Sequence, residues 1–196
     1  MKDREFQDWL LHVFDHPVAD PEWYWAADAA VLRLPPVQAV EAVGRLFEQA
    51  GELLDGLPDE RAAQGLWYLV SAADYLQALG DPLLPQAPRL KALHAIETLF
   101  RDLFAKRCSP ELAHLKEPGK PLNEVCFLWW DAVPFSVRFW GEEAGFFGKA
   151  CLAVMERTLE IPHDAVREGA LHGLALWHPE FPEEVRRIVT DFVART

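Results

Sequence analysis

The stretch PPVQAVEAVGRLFEQAGELL, Pro35–Leu54, decides the fold class. Its apolar positions are Val37, Val40, Val43, Leu46, Phe47, Ala50 and Leu54. Steps of three and four place them on one stripe of an α-helix, since 3.6 residues complete a turn. Pro35 and Pro36 suit a helix start, where the missing N–H would have no intrahelical partner. Gly56 and Pro58 mark the end.

The same period continues outward. Asp59 is expected to cap a helix that turns Ala63, Leu66, Trp67, Val70, Ala73 and Leu76 inward and stops at Gly80-Asp81-Pro82. After a loop carrying Pro85 and Pro88, the pattern returns in Leu90, Leu93, Ile96, Phe100, Leu103 and Phe104. Ser109-Pro110-Glu111 reads as a cap and a first-turn proline opening a short turn, and KEPGKPL (Lys116–Leu122) as a linker. Four further segments are apolar on one side: Asn123–Asp131, Glu142–Leu159, Asp164–Trp177 and Glu183–Ala194. Pro134, Gly141, Pro162, Pro179 and Pro182 punctuate them. No stretch alternates with period two, and the β-prone run Val125–Trp130 reads as a buried helix. The expectation is one all-α domain over residues 1–196, its helices joined by short proline-bearing loops and stacked as antiparallel neighbours.

Composition bounds the function. The chain has 196 residues, 51% of them hydrophobic, which supports a core without disulfides or metals. The net charge of −12 makes nucleic acid and anionic membrane poor partners. The locally basic stretch Arg101–Lys120, five basic against three acidic residues, is too weak to change that. Cys108, Cys126 and Cys151 form no CxxC pair, so reduced thiols in the cytoplasm are expected. The charged N-terminus does not read as a signal peptide. The longest run free of Asp, Glu, Lys and Arg, Ala62–Ala73, is too short to cross a bilayer.

The segment DAVREGALHGLALW resembles the second half of a HEAT repeat through Asp164, Val166, Arg167, Ala170 and Leu174. The physical logic stands beside the resemblance. Asp favours a helix start, Ala170 and Gly173 permit close helix contact, and Val166 and Leu174 fill the seam. The helix from Pro182 to Val189 fits as its hairpin partner. Asp59–Leu66 echoes the pattern with its Arg out of register. The resemblance implies an irregular right-handed superhelix of about four antiparallel helix pairs, a HEAT-like α-solenoid used to recognise proteins. It carries over no catalytic residue.

Two constellations invite a chemical reading. Asp164, Glu168 and His172 share one helix face at i, i+4 and i+8. Two helical turns separate the ends by roughly 12 Å at 1.5 Å per residue, so the three cannot ligate one ion. Asp131, beside Trp129 and Trp130 and with Glu124 nearby, has the character of a base held among aromatics, as in HEAT-like alkylpurine glycosylases. Of the adjacent tryptophans, one is expected in the core and Trp130 in a groove with Trp67. The seven histidines scatter without ligand spacing, and His94 is expected in the core or at its boundary. Ser71 and Ser136 lack a nearby histidine in sequence. No cofactor motif, metal site or catalytic residue is assigned.

Binding has the stronger case. Trp23-Tyr24-Trp25 are consecutive and cannot all face inward, and exposed aromatics concentrate at binding surfaces. Residues 1–60 hold 13 acidic and 4 basic side chains, net −9. Asp20, Glu22 and Asp28 flank the tryptophans, so a basic protein is the expected partner. The expected function is a non-catalytic scaffold that binds another protein. The alternatives are a bacterial immunity or antitoxin protein neutralising a basic toxin and, behind it, a glycosylase or metal-dependent hydrolase. Candidate binding residues are Trp23, Trp25, Trp67, Trp130, Asp131, Asp20, Glu22, Asp28, Glu168 and His172.

Overall fold

The computed structural model describes residues 1–131 and 144–195. The expectations for Pro134, Ser136, Gly141 and the first two residues of the Glu142–Leu159 helix lie outside them. Every regular element among the described residues is helical, with no strand among them.

The helices are α1 (Asp3–Phe14), α2 (Pro36–Leu53), α3 (Asp59–Ser71), α4 (Gln86–His94), α5 (Ile96–Leu99), α6 (Ala105–Arg107), α7 (Pro121–Phe127), α8 (Ala144–Leu159), α9 (Asp164–Trp177) and α10 (Pro182–Arg195). A π turn, Phe100–Phe104, joins α5 to α6. Single 3-10 turns occur at Trp23–Trp25, Leu76–Gly80, Ala113–Leu115 and Trp129–Asp131.

Helix α2 begins at Pro36 with Pro35 as its cap residue, and buries Val40, Val43, Leu46, Phe47 and Ala50. It packs on α4, on α5 and on the Leu76–Gly80 turn. A Cβ on Gly44 would lie 3.1 Å from that of Ala92, so the glycine sets the close approach of α2 to α4. Helix α3 packs on α1 and, far along the chain, on α7, while α4 and α5 pack on α8. Helices α8, α9 and α10 pack on one another, and α9 also covers α7 and the Trp129–Asp131 turn.

The π turn holds Phe100 and Phe104 in edge contact with Trp129, which meets Phe47 from α2 in the same way, at centroid distances of 5.6 to 6.4 Å. Each such side chain, fully buried, contributes roughly 1.5–3 kcal/mol by leaving water.

Several local expectations are corrected. Asp59 is the first residue of its helix, not the cap, which is Pro58, and Asp164 likewise opens its helix after the cap residue His163. Asp59 meets Arg107 instead, whose guanidinium also donates to the Leu54 and Leu57 carbonyls and so fastens the end of α2 to the start of α3. Helix α3 stops at Ser71, where the Ala73 N–H leaves the helical pattern and shares the Tyr68 carbonyl with Ala72. Ser109 caps no helix and is bound by Asn123, which accepts its N–H at 3.0 Å and donates to its carbonyl at 2.8 Å. Val37 and His94 are exposed. Ala170 and Leu174 are buried as expected. Arg167 donates to the Leu159 carbonyl at 3.1 Å and lies over the Phe192 ring.

Candidate functional site

Between α1 and α2 the chain runs as a strap, residues 15–35, across the surface of α1 and α3. Gln64 of α3 fixes its start, accepting the Ala19 N–H at 3.2 Å and donating to the Pro17 carbonyl at 3.1 Å. His12 and Tyr75 fix its end. His12 Nε2 lies 3.1 Å from the Tyr68 hydroxyl and accepts the Leu32 N–H at 3.4 Å, which places the ring proton on Nδ1. The Tyr75 hydroxyl donates to the Leu32 carbonyl.

Between these anchors the aromatics divide as consecutive residues must. Trp23 turns inward, its ring stacked on His16 and tilted against Tyr68. Tyr24 is half-buried beside Tyr68. Trp25 turns outward and is 58% exposed. Val18 and Val31 are exposed on the same strap, as are Asp20 and Asp28, while Glu22 is half-buried. Of these candidate binding residues Trp25, Asp20 and Asp28 lie on the surface, whereas Trp23 is turned inward against His16 and Tyr68.

Beside the strap lies a cleft of about 540 Å³. Ala29–Leu34 form one wall and residues 72–81 another, with Tyr24, Tyr68 and Tyr75 on its lining. Burial pushes the phenols up, Tyr24 to about 12 with help from the nearby Glu22 charge. Tyr68 and Tyr75 rise for the same first reason, burial. All three are neutral near pH 7, equipped to donate and accept hydrogen bonds and unsuited to act as bases. Nothing in the sequence signals this cleft, because its walls come from segments some 40 residues apart joined by His12, Tyr68 and Tyr75.

The second candidate region falls on α9. Glu168 is buried and accepts three hydrogen bonds, from the N–H groups of Ala113 and His114 and from His114 Nδ1. One turn further on, His172 Nε2 lies 2.7 Å from Asp131 Oδ2, with its ring against Phe127. Glu168, His172, His114, Asp164 and Phe127 line one open cleft of about 550 Å³. The structure thus joins Asp131 to His172, which sequence had treated apart. All the polar contacts of Glu168 are structural: it holds the Ala113–Leu115 turn against α9. Among the described residues no group of three or more His, Cys, Asp or Glu side chains is placed to hold a metal ion.

The expected groove of Trp67 and Trp130 is corrected. Trp130 is buried, stacked on Phe100 and covered by α9 at Gly173, where a Cβ would come within 2.7 Å of its ring. A 3-10 turn carries Trp129 and Trp130, and both rings enter the core. Trp67 is half-buried on α3, and no ring contact joins it to Trp130 among the described residues. The three cysteines are buried, and burial raises the Cys126 and Cys151 thiols, which keeps them protonated and unreactive. No helix among the described residues is long and apolar enough to cross a membrane. No family model, curated protein or solved structure matches the chain.

Proposed function

We propose that this protein is a non-catalytic helical scaffold that binds a basic protein through its N-terminal strap. The observation that carries the reading is Trp25, a large aromatic held 58% exposed on a segment anchored at both ends. A tied strap loses little freedom on binding, and an exposed tryptophan supplies the apolar area on which affinity rests. Asp15, Asp20, Glu22 and Asp28 against Arg33 give the strap a net negative charge, which selects a basic partner and speeds its approach. These carboxylates spread over a surface and converge on no reacting centre, the arrangement that favours docking over catalysis.

The wider architecture in this reading is an irregular, right-handed HEAT-like superhelix of antiparallel pairs. The mutual packing of α8, α9 and α10 and the close contacts at Gly169 and Gly173 support it. The buried, unpaired thiols accord with work in the cytoplasm.

Affinity capture from the native host, run in parallel with the wild type and with Trp25→Ala, tests the function. A basic protein retained by the wild type and lost by the variant supports the reading. A retained set that is identical for both proteins contradicts it.

A further inference from the structure

Glu168, His114 and His172 lie on the α9 cleft, and none of them belongs to the strap. Glu168, itself buried, accepts the N–H groups of Ala113 and His114 at 2.8 and 2.9 Å and the ring Nδ1–H of His114. One carboxylate thus fixes both the backbone and the ring of His114. A carboxylate only accepts, so the ring proton sits on Nδ1, and Nε2 of the neutral imidazole is a bare acceptor. No hydrogen bond among the described residues uses it. The side chain stays 54% exposed, and with Nδ1 tied to Glu168 the Nε2 edge of the ring is the one left open to the cleft.

Apolar side chains from four segments line the same space: Leu112 before the Ala113–Leu115 turn, Phe127 of α7, Leu171 of α9 and Phe192 of α10. Each keeps part of its surface open to solvent. His172 completes the lining, its ring 4.4 Å from that of Phe127 and its Nε2 on Asp131. A concavity of about 550 Å³ with apolar walls and a few fixed polar groups has the size and make-up of a small-molecule site. Charge decides the class of molecule. Asp164 and Arg167 on the lining are opposite in sign, and Glu168 has its charge met by its three donors. Arg167 is engaged as well, at the Leu159 carbonyl and over the Phe192 ring. An anion would meet Asp164 and Glu168, and a cation would meet Arg167 and four apolar side chains. An uncharged ligand meets neither cost.

We infer that the α9 cleft binds a small uncharged apolar molecule, which packs against Phe127, Leu171 and Phe192 and donates one O–H or N–H hydrogen bond to His114 Nε2. The walls supply affinity by leaving water, and the single acceptor selects against analogues that lack the donor. Because Glu168 already fixes His114, the acceptor needs no ordering when the ligand arrives. The inference goes beyond the protein-binding reading and does not rest on it.

The test uses the full chain, ¹³C- and ¹⁵N-labelled, at about pH 8, above the ordinary histidine range. The probes are β-naphthol and indole, with β-naphthol methyl ether and N-methylindole as donor-free counterparts, and β-naphthoate and tryptamine as charged ones. The two neutral donors should shift the Leu171 methyl and Phe127 ring signals saturably, and the His114 Nε2 signal with them. Their donor-free counterparts should bind about five- to tenfold more weakly, the worth of one net hydrogen bond. The charged probes should bind more weakly than their neutral parents. His114→Phe keeps an aromatic wall and should erase the preference for β-naphthol over its methyl ether. Leu171→Trp, at an exposed position, should fill the cleft and abolish binding at unchanged Tm. Failure of both neutral donors to move these signals overturns the inference, as does a donor-free or charged probe that binds as tightly as its neutral parent. A folded His114→Phe variant that retains the preference overturns it too. Should that variant not fold, the matched probes on the wild type and on Leu171→Trp decide the matter.

Discussion

His16 lies flat on Trp23, with ring centroids 3.6 Å apart and planes 11° from parallel. The same imidazole donates from Nε2 to the carbonyl of His12, 2.8 Å away on α1. The stack fastens the middle of the strap to the helix, and His12 fastens its end. Two histidines one turn apart thus hold the segment that carries Trp25.

His12 makes this attachment sensitive to acid. Burial, then the neighbouring His16 charge, holds its pKa below 6.5. Tyr68, Trp23 and the Leu32 N–H are the other groups facing the ring, and none of them is charged near neutrality. A depressed folded pKa means the unfolded chain binds the proton more readily. The stabilisation is therefore complete above pH 6.5 and is lost as pH falls through 6.5 toward the folded value. A proton on Nε2 also displaces the Leu32 N–H, since two donors would then face each other. Measured against the intrinsic exchange rate, which itself falls in acid, the protection of the Leu32 amide should drop from pH 7.5 to 5. His12→Gln, which can accept the same bond without titrating, should remove that dependence. An equal loss of protection in both proteins would show that His12 is not the sensor.

Glu168 should prove structural. Glu168→Ala leaves the N–H groups of Ala113 and His114 without their acceptor and should cost about 1–3 kcal/mol in chemical denaturation. Partner binding by the folded variant should be unchanged. A variant of unaltered stability that loses binding would move the site to the α9 cleft.

The seam around α9 is tightly filled. Leu174→Ala should cost about 2–5 kcal/mol by leaving a cavity. Gly173→Ala would normally favour a helix, but its Cβ would press on the Trp130 ring, so a loss of about 1–3 kcal/mol is expected. Losses within about 0.5 kcal/mol, the range of surface sites, would show that this face of α9 is not packed as described.

The helices were legible in the sequence because their signals are local. Pro35 and Pro36 open α2 where proline costs nothing, and the three-and-four spacing of Val40, Val43, Leu46 and Phe47 names its buried face. That one of Trp23, Tyr24 and Trp25 is exposed was legible because three consecutive aromatics cannot share a face; that it is Trp25 was not. What escaped depends on distant partners. Asp59 sits one residue into its helix because Arg107, 48 residues away, draws its carboxylate. Trp130 is buried because its chain is a 3-10 turn under Gly173, a contact no helical period contains. The cleft required His12, Leu32 and Tyr75 to meet, and only the folded chain brings them together.

Association kinetics against salt, with the purified partner, test the central claim most directly. The strap carboxylates act through solvent, where screening sets in at about 8 Å in physiological salt. The association rate should fall steeply from about 50 to 500 mM salt, and charge reversal at Asp20, Glu22 and Asp28 should slow it at low salt with little change in dissociation. Trp25→Ala should do the converse and raise the dissociation rate. An association rate indifferent to salt, together with kinetics unmoved by either set of substitutions, would contradict docking at the strap.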